Sequence, residues 1–171
     1  MEYVTVEEAR IAKIGLGTWM ITGDRCRRVV AEAIERGYRH LDTAQMYENE
    51  AEVGAGIRAS GVERDALWVT TKLALDRVAR DRVRPAAQES LRRLGVDYLD
   101  LLLIHWPSRT VPLRDTLEAM ARLRESGEVR YLGVSNFPPG LLEEALELAP
   151  DLLCNQVEYH PFLAQDALRA L

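Results

Sequence analysis

The chain has 171 residues, 47% of them apolar and 29% charged, with a net charge of −5, which suits one globular domain with a sizeable core. The scattered basic residues exclude a nucleic-acid footprint, and no apolar run reaches the roughly 18 residues of a membrane span. Met1-Glu2-Tyr3-Val4 lacks the basic and apolar regions of a signal peptide, and Cys26 and Cys154 are too isolated for a disulfide framework or a cysteine metal site, so a cytoplasmic protein with reduced thiols is expected.

In chain order, Tyr3 to Val6 and Ala9 to Lys13 suggest a short hairpin, followed by an apolar strand over Ile14 to Thr18. Gly15-Leu-Gly17 is too short for a dinucleotide-binding fingerprint. Asp24 is placed to cap a helix from Arg25 to about Arg36, with Gly37 at its end. A strand over Arg39 to Leu41 stops on Asp42, a polar loop carries Tyr47, and a helix runs from Asn49 to about Ala59. Leu67 to Lys72 is rich in β-formers and ends on a lysine. A helix then runs from Asp81 to Leu94 and closes at Gly95.

Tyr98 to His105 is nearly continuous apolar sequence, as expected of a strand buried on both faces. A helix from Leu113 to Ser126 stops at Gly127, and Val129 to Val134 is a strand that ends on Ser135-Asn136. Pro138 to Leu148 is helical, Leu152 to Val157 is a sixth strand with Asn155 and Gln156, and a last helix starts at Ala164. Regular alternation of strands and helices without a linker predicts βαβ units, a parallel sheet and a single domain over residues 1–171. An open nucleotide-binding sheet would show a glycine-rich turn, and none is present. Instead Asp42, Lys72, His105, Asn136 and Gln156 lie at or beside five successive strand ends, where a (β/α)8 TIM-type barrel carries its chemistry. Six of the eight strand-helix units of such a barrel are recognisable, so the barrel is expected to be incomplete, apparently truncated at the C-terminus. Its open sheet edges would be available for self-association.

Asp42, Tyr47, Lys72 and His105 form a chemically coherent set. A tyrosine hydroxyl is ordinarily too weak an acid to protonate a substrate near neutral pH, and an adjacent ammonium favours its phenolate. Asp42 would keep Lys72 charged and in place, and His105 could hydrogen-bond a substrate oxygen. Such a set suits protonation of a carbonyl oxygen as hydride reaches its carbon.

The chain resembles the aldo-keto reductases. The matching motifs are Gly15-Leu-Gly-Thr-Trp19, Leu41-Asp-Thr-Ala-x-x-Tyr47-x-Asn-Glu50 and Thr71-Lys-Leu73. They continue with Leu94-Gly-x-Asp-Tyr-Leu-Asp-Leu101, Ile104-His-Trp-Pro107, Gly133-Val-Ser-Asn136 and Asn155-Gln-Val-Glu-Tyr-His-Pro161. The segment around Tyr47 is most similar to bacterial members, of the kind that reduce diketo-gluconate and related aldehydes or ketones. The resemblance implies Tyr47 as proton donor, Lys72 and Asp42 as its tuning pair, and His105 as the group that orients the carbonyl. It also implies that Ser135, Asn136 and Gln156, with Asp42, hold the nicotinamide of NADPH. Gly17, Thr18 and Trp19 would contact the cofactor, and Trp19 and Trp106 would wall the substrate pocket.

Ala74 stands where the family often has an aromatic residue, which widens the pocket on that side. The family's nicotinamide-stacking aromatic, its 2′-phosphate segment and its C-terminal loop would all lie beyond Leu171, so the choice between NADPH and NADH is not written here. Two other readings are open. One is a catalytically silent barrel fragment that binds a protein partner through its edges. The other, weaker, is a metal-dependent hydrolase using His40, His105, His160, Asp42 and Glu158, which lacks the usual His-x-His pair. The run Arg77 to Arg84 reads as a solvated loop and helix start with internal ion pairs.

Overall fold

The computed structural model describes all 171 residues. Strands β1 (Tyr3–Val6) and β2 (Ala9–Ala12) form an antiparallel hairpin. Six parallel strands follow: β3 (Leu16–Gly17), β4 (His40–Asp42), β5 (Trp68–Leu73), β6 (Leu99–Ile104), β7 (Val129–Ser135) and β8 (Asn155–Gln156). They pair in sequence order, which makes one curled sheet, a partial (β/α)8 barrel. The connecting helices are α1 (Gly23–Glu35), α2 (Glu50–Ser60), α3 (Arg80–Leu94), α4 (Leu113–Glu125), α5 (Pro139–Leu148) and α6 (Asp166–Arg169).

Side chains alternate across each strand, so the sheet has two apolar faces and two cores. The larger lies between sheet and helices and includes Leu41, Val69, Leu73, Leu102, Ile104, Leu132 and Val134. The smaller fills the concave face with Trp68, Leu101 and Leu103, and Ala9 of the hairpin closes it at the end opposite the site. Trp68 stacks on Tyr131 there at 5.4 Å between ring centroids. Two glycines allow α2 to wedge between its neighbours. A Cβ on Gly54 would stand 2.0 Å from the Leu94 carbonyl oxygen, and one on Gly56 would stand 2.6 Å from Cβ of Val30.

The central elements follow the expectation closely, and the outermost ones are shorter. The strand expected over Ile14 to Thr18 pairs only at Leu16 and Gly17, and the one expected over Leu152 to Val157 only at Asn155 and Gln156. Each has a single neighbour in the sheet, so an extended sequence alone does not create a ladder there. The last helix is four residues long rather than eight. Asp24 does not cap α1: Thr22 occupies the cap position, and Asp24 in the first turn pairs with Arg27 and Arg28. The arginines of the 77–84 run reach outward, Arg80 to Glu118 on α4 and Arg84 to Glu128, rather than pairing among themselves. No helix is long and apolar enough to cross a membrane.

Candidate active site

The strand ends converge on an open cleft of about 430 Å³, lined by Gly15, Gly17, His40, Asp42, Tyr47, His105, Ser135, Asn136, Gln156, Val157 and Glu158. The cleft occupies the C-terminal mouth of the sheet, where barrel chemistry resides. A larger recess of about 610 Å³ lies outside the sheet between α2 and α3. Its walls carry five acidic side chains and two arginines, Arg77 and Arg93, both of which pair with Glu89.

Lys72 is 1% exposed, and its ammonium sits behind the cleft rather than in it. Burial of an unpaired ammonium would cost several kcal/mol. Here the charge is balanced by Asp42 Oδ1, with which Nζ makes a close ion pair, and by the Thr43 carbonyl at 3.0 Å. Its remaining contact is the Tyr47 hydroxyl at 3.4 Å. Asp42 is held in turn: Gln156 Nε2 donates to its Oδ2 at 2.7 Å across the mouth, and Thr18 donates to its carbonyl from both N (3.0 Å) and Oγ1 (3.2 Å).

Tyr47 ends a short 3-10 turn, Gln45–Tyr47, that the sequence does not announce, and Glu48 leaves it in the left-handed region at φ 54°. Two buried amides flank the tyrosine. Asn49 donates to the Thr18 and Ile21 carbonyls at 2.8 and 2.9 Å and accepts from Thr43 Oγ1 at 2.8 Å. Gln45 performs the same service on the other side. At Glu50, the Thr71 hydroxyl donates to Oε1 at 2.7 Å, and burial raises the carboxyl above its ordinary range. These residues stood in the recognised motif without roles; the signal was the density of polar groups in a segment that packs inside.

The His105 ring meets Tyr47 edge-on, with centroids 5.6 Å apart. Its Nδ1 is buried without a partner. Burial, with the Lys72 charge adding, lowers its pKa from 6.5 to about 4, against a smaller upward pull from Asp42. The imidazole is therefore neutral at pH 7. Because the folded value is the lower one, the stability His105 contributes is complete above about pH 6.5 and is lost as pH falls through about 4. The expected result is an NMR titration of the His105 ring with a midpoint near 4; a midpoint near 6.5 would contradict the site geometry.

On the opposite wall, Ser135 Oγ donates to the Gln156 carbonyl at 2.8 Å, and Asn136 Nδ2 donates to the His105 carbonyl at 3.0 Å. Asn136 adopts φ 62°, a left-handed turn that asparagine tolerates, and its N–H donates to the Gln156 carbonyl at 3.0 Å. The side-chain carbonyls of Asn136 and Gln156 accept nothing within the chain. An amide ligand bearing an NH₂ group matches that unused pair of acceptors.

The structure thus brings Asp42, Tyr47, Lys72, His105, Ser135, Asn136 and Gln156 together. Thr18 is fully buried behind them, while Trp19 and Trp106 stand on the surface, 69% and 48% exposed, and belong to neither core. His40 shares the concave face with Asp42 and contacts Thr70 Oγ1 at 3.3 Å. His160 and Glu158 pair with each other on the exposed segment after β8, and no group of three His, Cys, Asp or Glu side chains is placed to hold a metal ion.

Fold and site together define an α/β-barrel protein with a Tyr–Lys–Asp–His constellation at its mouth. Residues 13–171 match the aldo/keto reductase family model, and the chain belongs to that family. An aldo-keto reductase of Mycolicibacterium smegmatis is 44% identical over 163 residues, covering 93% of this chain and 58% of its own length. Methylglyoxal reductase DkgB of Salmonella typhimurium is 41% identical over 157 residues, covering 90% and 59%. Among solved structures, a putative 2,5-diketo-D-gluconic acid reductase B superposes with a TM-score of 0.91 at 42% identity, over 94% of this chain and 58% of its own. A Bombyx mori aldo-keto reductase in complex with NADP gives 0.91 at 38% identity, over 99% and 62%. The chain therefore spans about three-fifths of the length of these relatives.

Proposed function

We propose that this chain carries the acid–base machinery of an NADPH-dependent carbonyl reductase acting on small aldehydes or ketones, within one domain over residues 1–171. The observation that carries this reading is the Tyr47 hydroxyl on the cleft wall, 3.4 Å from the ammonium of buried Lys72. The names of the relatives, among them a methylglyoxal reductase, and the NADP of the silkworm neighbour point the same way.

Ser135, Asn136 and Gln156 would hold the nicotinamide, whose chemistry there would be hydride donation to the carbonyl carbon. Tyr47 gives its hydroxyl proton to the carbonyl oxygen, which completes the alcohol. The phenolate left behind is stabilised by Lys72, whose charge is held by Asp42 and, through Asp42, by Gln156. Neutral His105 serves the substrate oxygen by hydrogen bonding and not as a charged acid, which leaves Tyr47 as the proton source. Asn136 and Gln156 offer their free carbonyls to the carboxamide, with Ser135 fixing their geometry. Gly17 and Trp19 border the cofactor side, buried Thr18 acts behind them by holding the Asp42 carbonyl, and Trp19 and Trp106 give the substrate entrance its apolar rim.

A second reading keeps the fold without the activity: a binding module that associates through its sheet edges. Exposed Tyr159 and Phe162 beside β8, 60% and 95% accessible, favour it. The discriminating experiment incubates the purified chain with NADPH and methylglyoxal or a diketone, following absorbance at 340 nm and sedimentation in parallel. Substrate-dependent NADPH oxidation is the expected result. A folded dimer that neither binds nor oxidises NADPH would favour the module.

A further inference from the structure

We propose that Gln45 is a positioning residue that sets the contact between Tyr47 and Lys72, an inference resting on the reading of Tyr47 as proton donor. The turn that carries Tyr47 is three residues long, and Met46 at its centre is 55% exposed. A turn that short and that exposed has little packing of its own to fix a hydroxyl within a few tenths of an ångström. Its anchorage must come from side chains at its ends.

Gln45, 9% exposed, uses three of its four hydrogen-bonding positions. Nε2 donates to the Ala86 carbonyl and to Ser90 Oγ, both at 3.0 Å and both on α3. Oε1 accepts from the backbone N–H of Ala74 at 2.9 Å. Ala74 follows Lys72 by two residues, and Gln45 precedes Tyr47 by two. The Gln45–Ala74 bond therefore ties the strand that carries the ammonium directly to the turn that carries the hydroxyl, and the bonds to Ala86 and Ser90 brace both against one helix. Ser90 is fully buried and accepts this amide beside the Glu50 carboxyl, with which its hydroxyl also interacts. An asparagine is one methylene shorter than the span to α3, and an apolar residue of the same length fills the space without the bonds.

The test compares Gln45→Met, close in length and without hydrogen bonds, with Gln45→Glu, which can still accept from Ala74 but sets an acceptor oxygen against the Ala86 carbonyl. Because misplacement by about 1 Å can cost about 100-fold in rate, Gln45→Met is expected to lower kcat by about 10- to 100-fold. KM for the aldehyde should change less than kcat, since Gln45 itself does not line the cleft. Gln45→Glu should lose at least as much, because its carboxylate cannot donate to the Ala86 carbonyl. Thr116→Val removes a single buried bond, Thr116 Oγ1 to the Val78 carbonyl at 2.7 Å, on a helix that supplies no residue to the cleft lining. It should lower the melting temperature and leave kcat intact. A second readout requires no turnover: the ring–ring nuclear Overhauser contact between Tyr47 and His105, present in the parent, should weaken in Gln45→Met. An inactive parent that shows this contact, lost in Gln45→Met, would sink the reductase reading and uphold the positioning role. Unchanged kcat or an unchanged ring contact in Gln45→Met would overturn it, as would a kcat loss in Thr116→Val of the same size.

Discussion

Tyr47→Phe should abolish most carbonyl reduction while leaving the fold unchanged. Tyr47 is half-buried, and its hydroxyl makes one contact within the chain, the 3.4 Å approach of Lys72 Nζ. Loss of a single long hydrogen bond at that position costs about 1 kcal/mol or less in stability. The kinetic cost is of another order. General acid catalysis contributes about 10²- to 10⁴-fold, and no other group on the cleft wall can replace it. His105, with a pKa of about 4, carries no proton of suitable acidity at pH 7, and Lys72 lies behind the wall. The expected measurement is a kcat reduced by at least about 100-fold with an unaltered urea midpoint. Retention of kcat within about tenfold would remove Tyr47 from its role.

Lys72→Met has the opposite balance, with a large penalty in stability as well as in activity. The substitution removes the ammonium from a position 1% exposed and leaves the Asp42 carboxylate with Gln156 Nε2 as its main partner. Removing one member of a buried ion pair typically costs about 3–5 kcal/mol, a substantial part of the 5–15 kcal/mol that holds a domain of this size together. Urea denaturation should register that loss, and reduction of aldehyde should disappear with it. Adding Asp42→Asn to Lys72→Met should restore much of the stability, because no uncompensated charge remains, without restoring activity. If Lys72→Met were as stable as the parent, the pair would not be the buried structural charge that the geometry describes.

The sequence displayed the centre of the fold better than its margins, and the reason is physical. β5 and β6 are paired on both sides and buried on both faces, so Trp68–Leu73 and Leu99–Ile104 stand out as apolar β-forming runs. At the margins β3 and β8 have one neighbour each, and their lengths depend on partners rather than on composition. The chemistry was legible because strand ends of a parallel sheet converge, so residues such as Asp42, Lys72 and His105 could be grouped without knowledge of distance. What could not be read is how they support one another. The Gln156–Asp42 hydrogen bond joins residues 114 apart in the chain and closes the mouth across its width. Likewise nothing in the sequence shows that Gln45 and Asn49 are buried on either side of Tyr47 and hydrogen-bonded to Ala74 and Thr18. The exposure of Trp19 and Trp106 was equally invisible, since an aromatic beside a strand end belongs to a core as readily as to a rim.

In the proposed reaction hydride would pass directly to a carbonyl in the cleft while Tyr47 supplies the proton. The most direct test gives the purified chain NADPH deuterated at the transferring C4 position together with methylglyoxal, and examines the product by mass spectrometry. One deuterium is expected on the carbinol carbon of the product, with at least about 100-fold less of that product formed per unit time by Tyr47→Phe. Unlabelled alcohol, or labelled alcohol formed equally well by Tyr47→Phe, would contradict it.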